Sequence, residues 1–250
     1  MKKLLILAVL ILGMVSCEKP SLISPPQEKV ILPLTVADTT PTRAAKAATL
    51  SILNTTNASQ IPSQMFAVNP IYKTAYYHNK QPDGLSCSWT SYVNCINCIV
   101  TANNNYCYPT PISIVRYRCT AYYPEASTKG ATNILALAWH LMTYDQGYIH
   151  YLQKSTSSRW EATQYMLYHI TSYHTPFVVR SSINGIGHYR VVFSIDWKQS
   201  ENSSIVYYTD CLYANATTFN GNLRSMSLSD FLTFMKVDAN AYNMLFMWPN

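Results

Sequence analysis

Four side chains in this 250-residue chain have the types and spacing for nucleophilic catalysis: Gln81, Cys87, His188 and Asp210. Cys87 follows Pro82-Asp83-Gly84-Leu85-Ser86. Pro-Asp-Gly is turn chemistry and Ser is a favoured N-cap, so Cys87 is expected in the first turn of a helix. The positive end of a helix favours a thiolate over a thiol, which would make this cysteine the reactive one. A cysteine at a helix start is also a common small buried residue, and Cys95, Cys98, Cys107, Cys119 and Cys211 are read that way. Gln81 lies six residues upstream, across the turn, where its amide could point back at the thiol as a donor.

The base is expected in the second half. An alternating strand from His188 to Trp197 would carry Tyr189, Val191, Phe193, Ile195 and Trp197 on one face. His188, Arg190, Val192, Ser194 and Asp196 would share the other. Asp196 then stands about 26 Å from His188 along the strand, too far to orient it, and reads as a surface hairpin residue. The segment Lys198–Ser203 predicts a hairpin into a strand at 205–209. If 196 faces about 204, then 190 faces about 210, and Asp210 becomes a diagonal neighbour of His188 on the same face. A carboxylate beside an imidazole is the pair that orients a general base. A register slip of one residue would turn Asp210 to the wrong face.

The elements needed to hold these residues are legible in outline. Apolar positions 92, 93, 96, 99 and 100 predict a helix after Cys87, and further helices are expected over 133–143 and 160–170. Strands are expected at 177–179, 188–197, 205–209 and 244–248, with a short capped helix over 227–237. Helices first and an antiparallel sheet later make an α+β domain, expected over 66–250.

These motifs resemble papain-like cysteine peptidases, most closely the bacterial branch related to double-glycine-leader (bacteriocin-processing) peptidases. The matching residues are Gln81 six before Cys87, Pro176-Phe177-Val178-Val179, Gly187-His188-Tyr189-Arg190-Val191-Val192 and Tyr208-Thr209-Asp210. The resemblance covers about residues 75–215. It implies a papain-like fold, with the helical part that carries Cys87 packed on a C-terminal antiparallel sheet. It also implies Cys87 as nucleophile, His188 as base, Asp210 orienting it and Gln81 in the oxyanion hole, acting on a peptide or protein substrate. Ser88-Trp89-Thr90 stands where the branch commonly has Gly-Pro-Thr, and Cys211 where it commonly has Pro. Two other functions stay open: a non-catalytic lipoprotein that binds peptide or glycan, and transglutaminase-like acyl transfer.

The N-terminus predicts export. Lys2 and Lys3 precede an apolar run from Leu4 to Leu12, too short to span a bilayer, so residues 1–16 read as a signal peptide. Val15-Ser16-Cys17 resembles a bacterial lipobox, which implies lipid on Cys17 and anchoring in the cell envelope, at the outer membrane or surface. Residues 17–65, with Pro20, Pro25, Pro26, Pro33 and Pro41, read as a linker or pro-segment.

Composition excludes other classes. With 48% hydrophobic and 12% charged residues a wholly disordered chain is ruled out. The formal charge of +6 falls to +4 without the signal, with no basic stripe, so nucleic acid is not expected as a partner. A monomer is expected. Seven glycines and the absence of phosphate-loop motifs point to no nucleotide cofactor. Cys95 and Cys98 form C-x-x-C without a second pair at zinc-finger spacing, so no metal site is expected either. Apart from Cys17 the cysteines number six, and a reactive Cys87 leaves five, so at least one is unpaired. His140, His150 and His169 are expected in helical or inter-helix stretches as packed or surface residues. His78 and His174 fall in loops, where either could line a cleft.

Overall fold

Seven strands build one antiparallel sheet in the order β2-β7-β3-β4-β5-β6, with β1 added to β4. They are β1 Gln64–Ala67, β2 Ile149–Thr156, β3 Phe177–Ile183, β4 Ile186–Trp197, β5 Ile205–Thr209, β6 Leu223–Ser227 and β7 Tyr242–Pro249. The computed structural model describes residues 52–76, 79–104, 108–124, 134–183, 186–213, 219–235 and 241–250. Cys17, His78 and Cys107 lie outside them. Among the described residues no helix is long and apolar enough to cross a membrane.

Helices cover both faces of the sheet, because alternate residues of each strand point to opposite sides. On one face Val178, Tyr189, Val191, Phe193, Leu245 and Met247 pack against α1 (Cys87–Asn104), with α2 (Ile112–Tyr122) and α3 (Ile134–His140) behind it. On the other, Phe177, Val179, Val192, Val206, Met244 and Phe246 pack against α4 (Arg159–Tyr173) and α5 (Leu228–Met235). α1 is buried on every side from Cys87 to Val100. Its outward polar side chains are met by neighbouring loops: Asn94 Oδ1 accepts from Asn79 N at 2.9 Å and Asn97 Oδ1 from Tyr108 N at 2.7 Å. α5 opens with Ser227, whose Oγ accepts from Asp230 N at 3.0 Å, an N-cap of the expected kind.

Several elements depart from the sequence expectations. The packed chain reaches back to Ile52, since Ile52 and Ile61, inside the segment expected to be linker, are buried beside Phe66 and Trp197. The helices do not all precede the strands, because β1 and β2 fall in the first two-thirds of the chain. β2 was expected to be helical or inter-helical; His150 lies in it, paired with Trp248. As an edge strand it is half-buried along most of its length, so it shows no clean alternation. β4 does not alternate strictly. Val192 pairs with Tyr208 and Ser194 with Tyr207, leaving Phe193 without a partner on β5. This bulge puts Tyr189, Val191 and Phe193 on the α1 face but Ile195 and Trp197 on the α4 face.

Candidate active site

Cys87 opens α1, as the Pro-Asp-Gly turn predicts, and Ser86 O accepts the first helical bond, from Thr90 N at 2.9 Å. The Ser86 hydroxyl does not cap the helix in the expected way. It donates to Asp83 Oδ1 at 2.7 Å, and Leu85 N donates to the same oxygen at 2.8 Å. Asp83 Oδ2 pairs with Arg116 Nη1 of α2 at 2.6 Å, which ties the turn to the next helix. Burial works to raise the Asp83 carboxyl, but the bonds from Ser86, Leu85 and Arg116 outweigh it and hold the carboxyl below its ordinary value. One turn into α1, Ser91 Oγ donates to Tyr189 O at 3.1 Å, pinning the helix to β4 beside His188.

His188 and Asp210 meet: the ring Nε2 lies 2.7 Å from Asp210 Oδ1. Both are buried, and Leu212 N donates to the same carboxylate oxygen at 3.0 Å. The second oxygen accepts from Arg190 Nε at 3.1 Å. Arg190 is held in turn by Ser181, its Nη1 donating to Oγ at 2.7 Å. Burial pushes the Asp210 carboxyl up, but His188, Arg190 and the Leu212 amide bring it below its ordinary value. An ionised carboxylate only accepts, so Nε2 carries a proton toward Asp210 and Nδ1 is the ring nitrogen that Asp210 does not engage. Nδ1 has no hydrogen-bond partner among the described residues.

Cys211 joins the two halves of the site. Its sulfur lies 3.3 Å from Gln81 Oε1, the nearer acceptor for its proton, and 3.6 Å from both Cys87 O and Ser91 Oγ. The Cys211 sulfur, a His188 ring nitrogen and an Asp210 carboxylate oxygen all lie within 4.8 Å of one another. Burial pushes this thiol up to about 12, so it stays protonated at neutral pH. The Gln81 amide donates through Nε2 to Asp83 O at 2.8 Å, with Oε1 facing Cys211. Cys87 itself is 2% exposed.

Asp196 lies outside this group. Its carboxylate pairs with Lys198 Nζ at 3.0 Å, and the bulge at Phe193 turns it away from the His188 face it was expected to share. Cys87, Cys95, Cys98, Cys119 and Cys211 are all thiols rather than disulfides. His140 bonds Asp145 at 2.9 Å in a separate buried network with Tyr92 and Tyr108. His169 is buried, and His174 is an exposed C-cap of α4 in the left-handed region. Arg190 and Cys211 were missed as site residues. Arg190 was visible as the residue opposite position 210, whereas Cys211 carried no signal beyond adjacency to Asp210.

No family model matches this chain, and no curated protein matches it. Among solved structures it is similar to UfSP from C. elegans, with a TM-score of 0.51 and 16% identity. The likeness covers 81% of this chain and 37% of that one, so the chain spans little more than a third of the neighbour's length. At this identity the likeness speaks to fold: helices packed on a seven-stranded antiparallel sheet make this an α+β chain of papain-like fold.

Proposed function

We propose that the chain is a thiol hydrolase that cleaves peptide bonds through Cys87, His188 and Asp210. The observation that carries this reading is the 2.7 Å bond from His188 Nε2 to Asp210, which leaves Nδ1 as the nitrogen that can move a proton. In the reaction Nδ1 takes the Cys87 proton and the thiolate attacks the peptide carbonyl carbon. Collapse of the tetrahedral adduct breaks the C–N bond, and Nδ1 returns the proton to the leaving amine. Water then attacks the thioester with Nδ1 as base, releasing the acid and restoring the thiol. Asp210 stays ionised throughout and stabilises the imidazolium. Contacts of this kind are often long before substrate binds, so the reading requires the thiol and Nδ1 to close on each other in the complex. Gln81 serves the oxyanion only if its second Nε2 hydrogen reaches the site. The Gln81–Cys87 spacing and the Gly187-His188-Tyr189 start of β4 support the double-glycine-leader branch within this reading.

The burial of Cys87 favours a second reading, in which the fold binds peptide or glycan without hydrolysis. One experiment separates them: a thiol-reactive probe and a mixed peptide library applied to the full chain and to Cys87→Ala. Hydrolase activity requires labelling and cleavage in the wild type, both lost in the variant. An unlabelled, inactive wild type that still retains peptides or glycans supports binding alone, and products joined to an added amine support acyl transfer. Export and lipid on Cys17 belong to the same proposal, so Cys17→Ser should leave the membrane fraction. A wild type already soluble after export would contradict that part.

A further inference from the structure

We propose that His188, Asp210 and Cys211 form a zinc site, with one ring nitrogen, one carboxylate oxygen and one thiolate as ligands and a fourth position open to water. Among the described residues, these are the three side chains of metal-ligating type whose donor atoms all fall within 4.8 Å of one another. Each donor suits zinc, and three protein ligands with an open position is a stable zinc arrangement. Bond lengths of about 2.0–2.3 Å at tetrahedral angles put ligand atoms roughly 3.3–3.7 Å apart. Spacings up to 4.8 Å need shifts of about an ångström, and the 2.7 Å His188–Asp210 bond opens by less than that.

Adjacent residues of a strand point to opposite faces, so Asp210 and Cys211 could not converge inside β5. They converge because β5 ends at Thr209 and the chain turns into a 3-10 turn, Cys211–Tyr213. The surroundings resemble the outer shell that orients metal ligands. Arg190 holds the second Asp210 oxygen at 3.1 Å, and Ser91 Oγ stands 3.6 Å from the Cys211 sulfur. A cavity of about 270 Å³ reaches Asp210 and is lined also by Arg190, Tyr208 and Arg224. On binding, the Cys211 thiol proton leaves to solvent and the +2 charge meets one thiolate and one carboxylate, the latter already paired with Arg190, with no change of oxidation state. A consequence rests on the hydrolase reading: zinc takes the His188 ring and Asp210 out of proton transfer and shuts the site reversibly.

The test is zinc binding to the metal-free full chain, measured by competition with a chromophoric chelator, alongside cobalt binding followed by absorption. One equivalent of zinc should bind, and the cobalt form should show a thiolate-to-cobalt charge-transfer band in the near ultraviolet. His188→Ala and Cys211→Ala should each weaken zinc binding about 100-fold or more, the latter losing the band, while Cys87→Ala keeps both. Binding unchanged in these variants, or a wild-type cobalt spectrum without the band, overturns the proposal. The wild-type spectrum serves even if Cys211→Ala does not fold. Both readouts are taken without substrate. A chain that binds zinc but never hydrolyses peptide sinks the hydrolase reading alone, and an active chain that binds none sinks the zinc site alone.

Discussion

His188 and Asp210 meet at 2.7 Å because one residue between their strands, Phe193, is looped out of the ladder. Beyond the bulge, Asp196 pairs with Ile205 and Ile195 with Val206, one residue away from the register read from the hairpin. On the His188 side of it, Val192 pairs with Tyr208 and Val191 with Thr209, which continues to 190 opposite 210. Carried through without the bulge, the outer register would put Asp210 opposite 191, on the α1 face. The bulge therefore decides which face of the sheet carries the carboxylate.

The two aspartates should separate cleanly. Asp210→Asn is expected to keep the fold and lower turnover by about one to three powers of ten, with KM little changed. Asp196→Asn should match the wild type, because its carboxylate pairs with Lys198 on the surface. Steady-state kinetics on both variants checks this. An active Asp210→Asn with a dead Asp196→Asn requires another triad.

His188→Ala should abolish hydrolysis and slow labelling of Cys87, since the imidazolium would otherwise stabilise the thiolate. Labelling rates across pH provide the measurement. Unchanged reactivity, with His140 or His174 required instead, defeats the assignment of the base.

Phe193 is fully buried, its ring edge-on to Tyr76 at 5.1 Å and to Phe219 at 4.8 Å. Phe193→Ala should cost about 3–5 kcal/mol, read from denaturant unfolding. If the bulge sets the His188–Asp210 register, the folded fraction of this variant should also lose turnover. Full activity per folded molecule would show that the bulge survives without its ring.

Burial pushes His169 down to about 3, against bonds its ring makes to the backbone of Thr175 and Pro176, which act to raise it. Its folded value lies below the unfolded one, so the unfolded chain binds more protons between about pH 6.5 and 3. The stability of neutral His169 is whole above pH 6.5 and drains as pH falls through that window, at up to about 1.4 kcal/mol per unit. His169→Phe should flatten the fall in Tm between pH 7 and 4. An unchanged slope would place the acid sensitivity elsewhere.

Much of this protein is written locally. The Pro-Asp-Gly turn before Cys87 starts a helix, and α1, α4, α5, β4, β5 and β7 stand near their expected places. Turn chemistry, capping and periodicity act over a few residues, so the chain itself carries them. β1, β2 and β6 escaped because short or edge strands lack a buried face to impose alternation. What tertiary structure alone decided is which residues meet. The bulge at Phe193, the grip of Arg190 on Asp210 and the placing of Cys211 between Gln81, Cys87 and His188 all depend on strand pairing across long separations. A two-against-one register leaves no mark in the alternation of β4, since Val192, Phe193, Ser194 and Ile195 satisfy either face until β5 and β1 are paired beside them.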